Sequence, residues 1–112
     1  MRFNTALLHS AKLGDENTGA TLTPIYQSSA FYQPSAEQHE KLFHNKATGY
    51  SYTRINNPTI VAFEERMTNL EKGVGSVACS SGMAALTNAL LNIVGAGGEI
   101  VSSTGLYGGT ID

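Results

Sequence analysis

The sequence predicts an α/β chain, and three observations predict it. Ile60, Phe63, Met67 and Leu70 recur at spacings of three, four and three, which is the apolar stripe of a helix. Two short apolar runs, 76–80 and 99–103, have the length and composition of buried strands. Between them lies an Ala- and Leu-rich stretch from Gly82 to Val94, closed by Gly95, that reads as a second helix. The order helix, strand, helix, strand implies a right-handed crossover in a parallel sheet. A two-stranded parallel sheet is not stable alone, so the sequence reads as incomplete.

The ends of these elements carry their own signals. Asn57 is suited to cap the first helix, with Pro58 at its first position, where the missing N–H costs nothing. Lys72 falls in its last turn and Gly73 follows as the stop. The earlier part is more mixed. Residues 5–13 read as a short helix ending at Gly14, residues 15–23 as polar turns, and residues 24–32 as extended chain. Ser35 is an N-cap candidate and Gln38 completes a capping box, opening a helix to about His44 with Leu42 and Phe43 as apolar contacts. Residues 45–57 read as a loop.

Bulk properties exclude several classes of function. The 112 residues carry a formal net charge of −2 with scattered Lys and Arg, which argues against a nucleic-acid partner. No apolar run could span a bilayer, and the N-terminus lacks a signal peptide's apolar stretch. The one cysteine, Cys79, excludes an intrachain disulfide and suits a reducing, cytoplasmic setting. Inside an apolar run it reads as a small core residue, not a nucleophile. His39 and His44 are five apart without a companion ligand set, so no metal site is expected.

Three segments carry chemistry. Ser80-Ser81-Gly82-Met83 stands between a predicted strand and helix. There the N–H groups of Gly82 and Met83 and the hydroxyl of Ser81 suit a compact phosphate, although a plain N-cap accounts for the same residues. Neither GxxxxGK nor GxGxxG occurs. Tyr52-Thr53-Arg54 precedes Asn57-Pro58-Thr59. Arg offers a planar donor fork, and residues two apart on an extended loop face one side, so Tyr52 and Arg54 can converge on one anion. Taken alone, the pair also reads as an ordinary surface loop. Tyr107, in Leu106-Tyr107-Gly108-Gly109-Thr110, follows the carboxyl end of the second strand, where ligands of open sheets gather. It can lie over a planar cofactor or simply anchor a turn.

Together, YTR-x-x-NPT, SSGM and LYGGT resemble the cysteine/methionine-metabolism family of pyridoxal-phosphate (PLP) enzymes over nearly the whole chain. The phrases LF-x-x-K, YTRIxNPT, IVSS and LYGGT look most like its O-acetylhomoserine sulfhydrylases, with cystathionine γ-synthases and methionine γ-lyases sharing the core motifs. Asn56 departs from the Gly that many relatives carry there. The resemblance implies an aspartate-aminotransferase-like (fold type I) domain, incomplete here. Residues 1–56 would be an N-terminal arm and loop contacting the neighbouring subunit, and residues 57–112 the start of the PLP-binding domain.

It further implies roles for individual residues. Gly82 and Met83 hold the PLP phosphate through their backbone N–H groups. Tyr52 and Arg54 reach the same phosphate across a dimer, and Tyr107 stacks on the pyridine ring and takes part in proton transfer. Acetate would be replaced at Cγ by sulfide or a thiol, in a homo-oligomer of tetrameric type acting on a small amino acid. Elimination is the rival chemistry, and a non-catalytic fragment serving at most as an interaction module is a rival of another class. Lys12, Lys41, Lys46 and Lys72 match no Schiff-base lysine motif, so the 112 residues alone are expected to be inactive.

Overall fold

The structure, a computed structural model, describes residues 2–11 and 14–111. It contains five helices among the described residues: α1 (Phe3–His9), α2 (Ala36–Phe43), α3 (Pro58–Glu71), α4 (Gly82–Ile93) and α5 (Gly108–Ile111). They fall into two compact units, Met1–Val77 and Ala78–Asp112.

In the first unit α1 packs against α3. The predicted helix 5–13 starts earlier and ends earlier, at His9; its proposed last residues, Lys12 and Leu13, lie outside the described residues. The stop has a tertiary cause. The carbonyl of Ser10 accepts a hydrogen bond from the Asn69 side chain of α3, satisfying a group that a helix end would otherwise leave orphaned. The polar stretch that follows is a tight turn closed by the Asp15 carboxylate. Its two oxygens accept from Asn17 N at 3.1 Å and Thr18 Oγ1 at 3.0 Å.

Ser35 caps α2 through Gln38 N at 3.2 Å, as its position predicts. Its hydroxyl also helps the backbone amide of Glu37 hold that carboxyl below its ordinary range, since both donate to the charged form. Asn57 and Pro58 open α3 as predicted. The close of α3 differs. Lys72 itself takes the left-handed conformation (φ 54°), and Gly73 N bonds back to Thr68 O at 2.9 Å. The helix thus ends at Glu71, and Lys72, expected in the last turn, is the left-handed stop in place of Gly73.

The predicted strands are the main correction. Residues 76–80 and 99–103 form no strand ladder, and among the described residues only isolated bridges, Asp15 to Ala20 and Ala30 to Tyr52, occur. A strand is defined by a partner, and without one the apolar side chains stay in solvent: Val77 is 82% and Val101 98% exposed. The same holds for packing in general. No hydrophobic residue is fully buried among those described, and Phe63 of the predicted α3 stripe is 56% exposed. Cys79, expected in a core, is half-buried, with Asn88 Nδ2 3.6 Å from its sulfur.

Candidate functional site

The sequence-predicted residues form two sets, one in each unit. Tyr52 and Arg54 lie on the loop before α3. The loop is held against the extended 24–31 segment by a short antiparallel pairing: Phe31 N bonds to Ser51 O at 3.0 Å and Thr53 N to Ser29 O at 2.9 Å. Gln33 Nε2 adds a bond to Tyr50 O at 2.7 Å. The guanidinium of Arg54 lies over the ring of Tyr52, 4.5 Å from its centroid, so the two side chains do share one side of the loop. Arg54 is exposed, and among the described residues no carboxylate pairs with it. Stacking occupies the face of the guanidinium and leaves its N–H edge available to an anion.

The Asn57-Pro58-Thr59 motif does more than start a helix. Asn57 is the one buried polar residue among those described, 3% exposed, and its amide is fully used. Oδ1 accepts from Thr59 N at 2.8 Å, while Nδ2 donates to Tyr26 O at 2.9 Å and to Thr53 Oγ1 at 3.1 Å. Thr59 Oγ1 donates to Pro24 O at 3.3 Å and accepts from Tyr26 N at 2.9 Å. Two side chains at the mouth of α3 therefore fasten residues 24–26 and the Tyr52–Arg54 loop together. Sequence reasoning missed this role, because partners more than thirty positions away leave no local pattern.

In the second unit, Ser81, Gly82 and Met83 open α4 and are exposed. Ser81 Oγ accepts from Ala84 N at 3.1 Å, the ordinary N-cap bond, so as an acceptor this hydroxyl serves its own helix. Its O–H proton remains available for donation. The N–H groups of Gly82 and Met83 bond to nothing among the described residues, and a Cβ on Gly82 would meet only open space. The helix start is open, with two unpaired donors at the positive end of its dipole. Thr110 Oγ1 lies 3.7 Å from Met83 Sδ, which seats α5, and with it the loop carrying Tyr107, beside the first turn of α4. Tyr107 is 76% exposed.

Other candidates fall away from both sets. A groove of about 630 Å³ in the first unit is lined by Pro24, Tyr26, Phe31, Tyr50 and Glu65 among others, but by none of the predicted phosphate ligands. Its Tyr50 hydroxyl is pushed above the ordinary phenol range by burial, with the charge of Glu65 and then Tyr26 adding to it. His39 leans on the ring of Phe43 at 4.9 Å, and His44 sits 3.9 Å from Glu40. Lys41, Lys46 and Lys72 are exposed, while Lys12 lies outside the described residues. No helix among the described residues is long and apolar enough to cross a membrane.

Residues 4–112 match the model of the Cys/Met metabolism PLP-dependent enzyme family. The chain belongs to that family. It is 49% identical to an O-acetyl-L-homoserine sulfhydrylase of Corynebacterium glutamicum over 108 residues, covering 96% of this chain and 25% of that protein. It is 44% identical to a cystathionine γ-lyase of Bacillus subtilis, covering 98% of this chain and 27% of that one. A solved Campylobacter jejuni chain, described as an O-acetylhomoserine (thiol)-lyase bearing a pyridoxyl-lysine phosphate, superposes with a TM-score of 0.88 at 32% identity. That match covers 99% of this chain and 27% of the other. The chain thus spans about a quarter of the length of the relatives it matches.

Proposed function

We propose that the chain is the N-terminal, phosphate-holding part of a PLP enzyme that replaces the acetate of O-acetylhomoserine with sulfide or a thiol. The residues present fit the cofactor's phosphate. Gly82 and Met83 offer two unpaired amides in open space at a helix start, and Ser81 keeps a hydroxyl proton to give. Arg54 and Tyr52, stacked and without a carboxylate partner, would close on the phosphate from the other side, across a subunit boundary. Tyr107 would lie over the pyridine ring and sit close enough to the substrate amine to pass a proton. When bound, PLP supplies an electron sink for the substrate's α-carbon. The residues of this chain bind and orient it.

The observation that carries the replacement reading is the likeness to the Corynebacterium sulfhydrylase, together with the YTRINNPT and LYGGT phrases. Elimination is the second reading, favoured by the nearly equal likeness to the Bacillus lyase. None of the described lysines lies in an enclosed site, so the 112 residues alone would not turn over substrate. The test is a complete enzyme containing this chain, supplied with O-acetylhomoserine and sulfide. It should be yellow and release acetate with homocysteine. A colourless protein would overturn the PLP reading, and a ketoacid as main product would replace transfer by elimination.

A further inference from the structure

We infer that Thr53 is a positioning residue for the cofactor phosphate, acting through the two side chains that flank it. The inference rests on the reading that Tyr52 and Arg54 reach that phosphate. Thr53 makes three hydrogen bonds within a single residue. Its N–H donates to Ser29 O at 2.9 Å, its hydroxyl donates to the carbonyl of Ser28, and the same oxygen accepts from Asn57 Nδ2 at 3.1 Å. The Asn57 amide that holds it is buried, and is itself fixed by Thr59 N and Tyr26 O. Thr53 is therefore tied to two elements at once, the extended 28–29 segment and the start of α3.

The consequence falls on its neighbours. Thr53 and Arg54 are the central residues of a turn that begins at Tyr52, so the bonds of Thr53 fix the short stretch of backbone from which both neighbouring side chains project. That turn is closed by Ile55 N and Asn56 N, which both donate to Tyr52 O at 2.9 and 3.1 Å. That turn and the Thr53 bonds leave the tripeptide little freedom, and the Arg54 guanidinium is already stacked on Tyr52. A long, exposed arginine normally loses rotamer entropy when it grips a ligand, and preorganisation reduces that loss. Among the described residues, no side-chain hydrogen bond of Tyr52 or Arg54 ties the loop to another element. The hydroxyl between them does.

The test measures PLP affinity by titrating the apo form of a complete enzyme, with circular dichroism confirming the fold. Thr53→Val removes the hydroxyl and keeps the shape, and should weaken PLP about tenfold, the size of one net hydrogen bond's effect. Thr53→Ser should bind within about twofold of the parent. In a Tyr52→Phe/Arg54→Ala background, Thr53→Val should cost less than about twofold, because nothing remains for it to position. The ³¹P resonance of bound PLP should move in Thr53→Val in the same direction as in Arg54→Ala. Should Thr53→Val not fold, Thr53→Ala reads the same loss.

Thr53→Val binding as tightly as the parent, or losing equally in both backgrounds, would overturn the inference. Unchanged PLP affinity in Arg54→Ala would instead remove the reading beneath it, and the inference with it.

Discussion

The ring of Tyr107 lies over the α-carbon of Gly109, where an added Cβ would stand 3.0 Å from the ring's Cε1. That distance is too short for comfortable contact, so any side chain at 109 must push the ring aside. Gly109 has no backbone reason among the described residues to be glycine, since its φ is not positive. Its smallness serves the tyrosine. Gly109→Ala should therefore displace Tyr107 by a few tenths of an ångström while costing less than about 0.5 kcal/mol of stability, because the ring is mostly exposed. In a complete enzyme, PLP titration should show a several-fold weaker cofactor alongside an almost unchanged melting temperature. Equal PLP affinity would separate the Tyr107 ring from the cofactor.

Asn57 permits a sharper test, because its two amide atoms do different work. Asn57→Ala removes the α3 cap and leaves the Tyr26 carbonyl and the Thr53 hydroxyl without their donor, and should cost about 2–4 kcal/mol. Asn57→Asp retains the acceptor for Thr59 N but turns an anionic oxygen toward the Tyr26 carbonyl. It should be nearly as damaging at neutral pH. It should also recover as pH falls, because the protonated acid can donate where the amide did. In terms of linkage, the folded state raises the pKa of the introduced carboxyl, so the stability it contributes is present below its unfolded pKa and lost as pH rises through the folded value. Urea unfolding at acid and neutral pH reads both effects. A variant that weakened on acidification relative to the parent would contradict this geometry.

Much of this arrangement was legible in the residues, and the boundary between the legible and the hidden is physical. The caps at Ser35, Asn57 and Ser81 act within three positions along the chain, so one look at the local sequence suffices. Tyr52 and Arg54 do meet, but in a turn closed on the Tyr52 carbonyl and not through the two-residue period of extended chain. Hidden were the bonds from Asn57 and Thr59 to residues 24–26, which depend on how distant segments meet. Hidden too was the fate of the runs 76–80 and 99–103. Their composition specifies strand, but a ladder needs a second strand, and none pairs with them among the described residues. Lys72 shows a third kind of gap: Gly73 is the better left-handed residue, yet the helix closes one position sooner.

Tyr50 offers a check on the first unit that is independent of any cofactor. Burial raises its hydroxyl above the ordinary phenol value of 10.0, and the nearby charge of Glu65 adds to that. A pKa raised by folding means this contribution to stability is whole below the unfolded value and fades as pH rises through the folded one. Phenolate absorbance followed against pH, with Tyr50→Phe as the reference, should place this group above 10.0. Glu65→Gln should lower its midpoint without restoring the ordinary value, because burial remains. A Tyr50 midpoint at or below the ordinary value would show that the groove is open to water.

The exposure pattern makes one prediction about the 112 residues expressed by themselves. Ile25 is 77% exposed, Leu91 74% and Ile93 76%, and no apolar side chain among the described residues is fully buried. A folded domain gains its stability mainly from apolar surface removed from water, at about 25 cal/mol per Å², and must offset the entropy of ordering the chain. With little such surface removed, the helices have local caps but, among the described residues, no fully buried apolar side chain to make either unit melt cooperatively. The relatives run to about four times this length, which is the apolar cover the exposed faces would need. The isolated chain should therefore retain partial helicity by circular dichroism and bind a hydrophobic dye strongly. It should also lose its structure gradually in urea, with no sigmoidal transition. A sharp transition with weak dye binding would show that the chain buries far more than the exposures of Ile25, Leu91 and Ile93 allow.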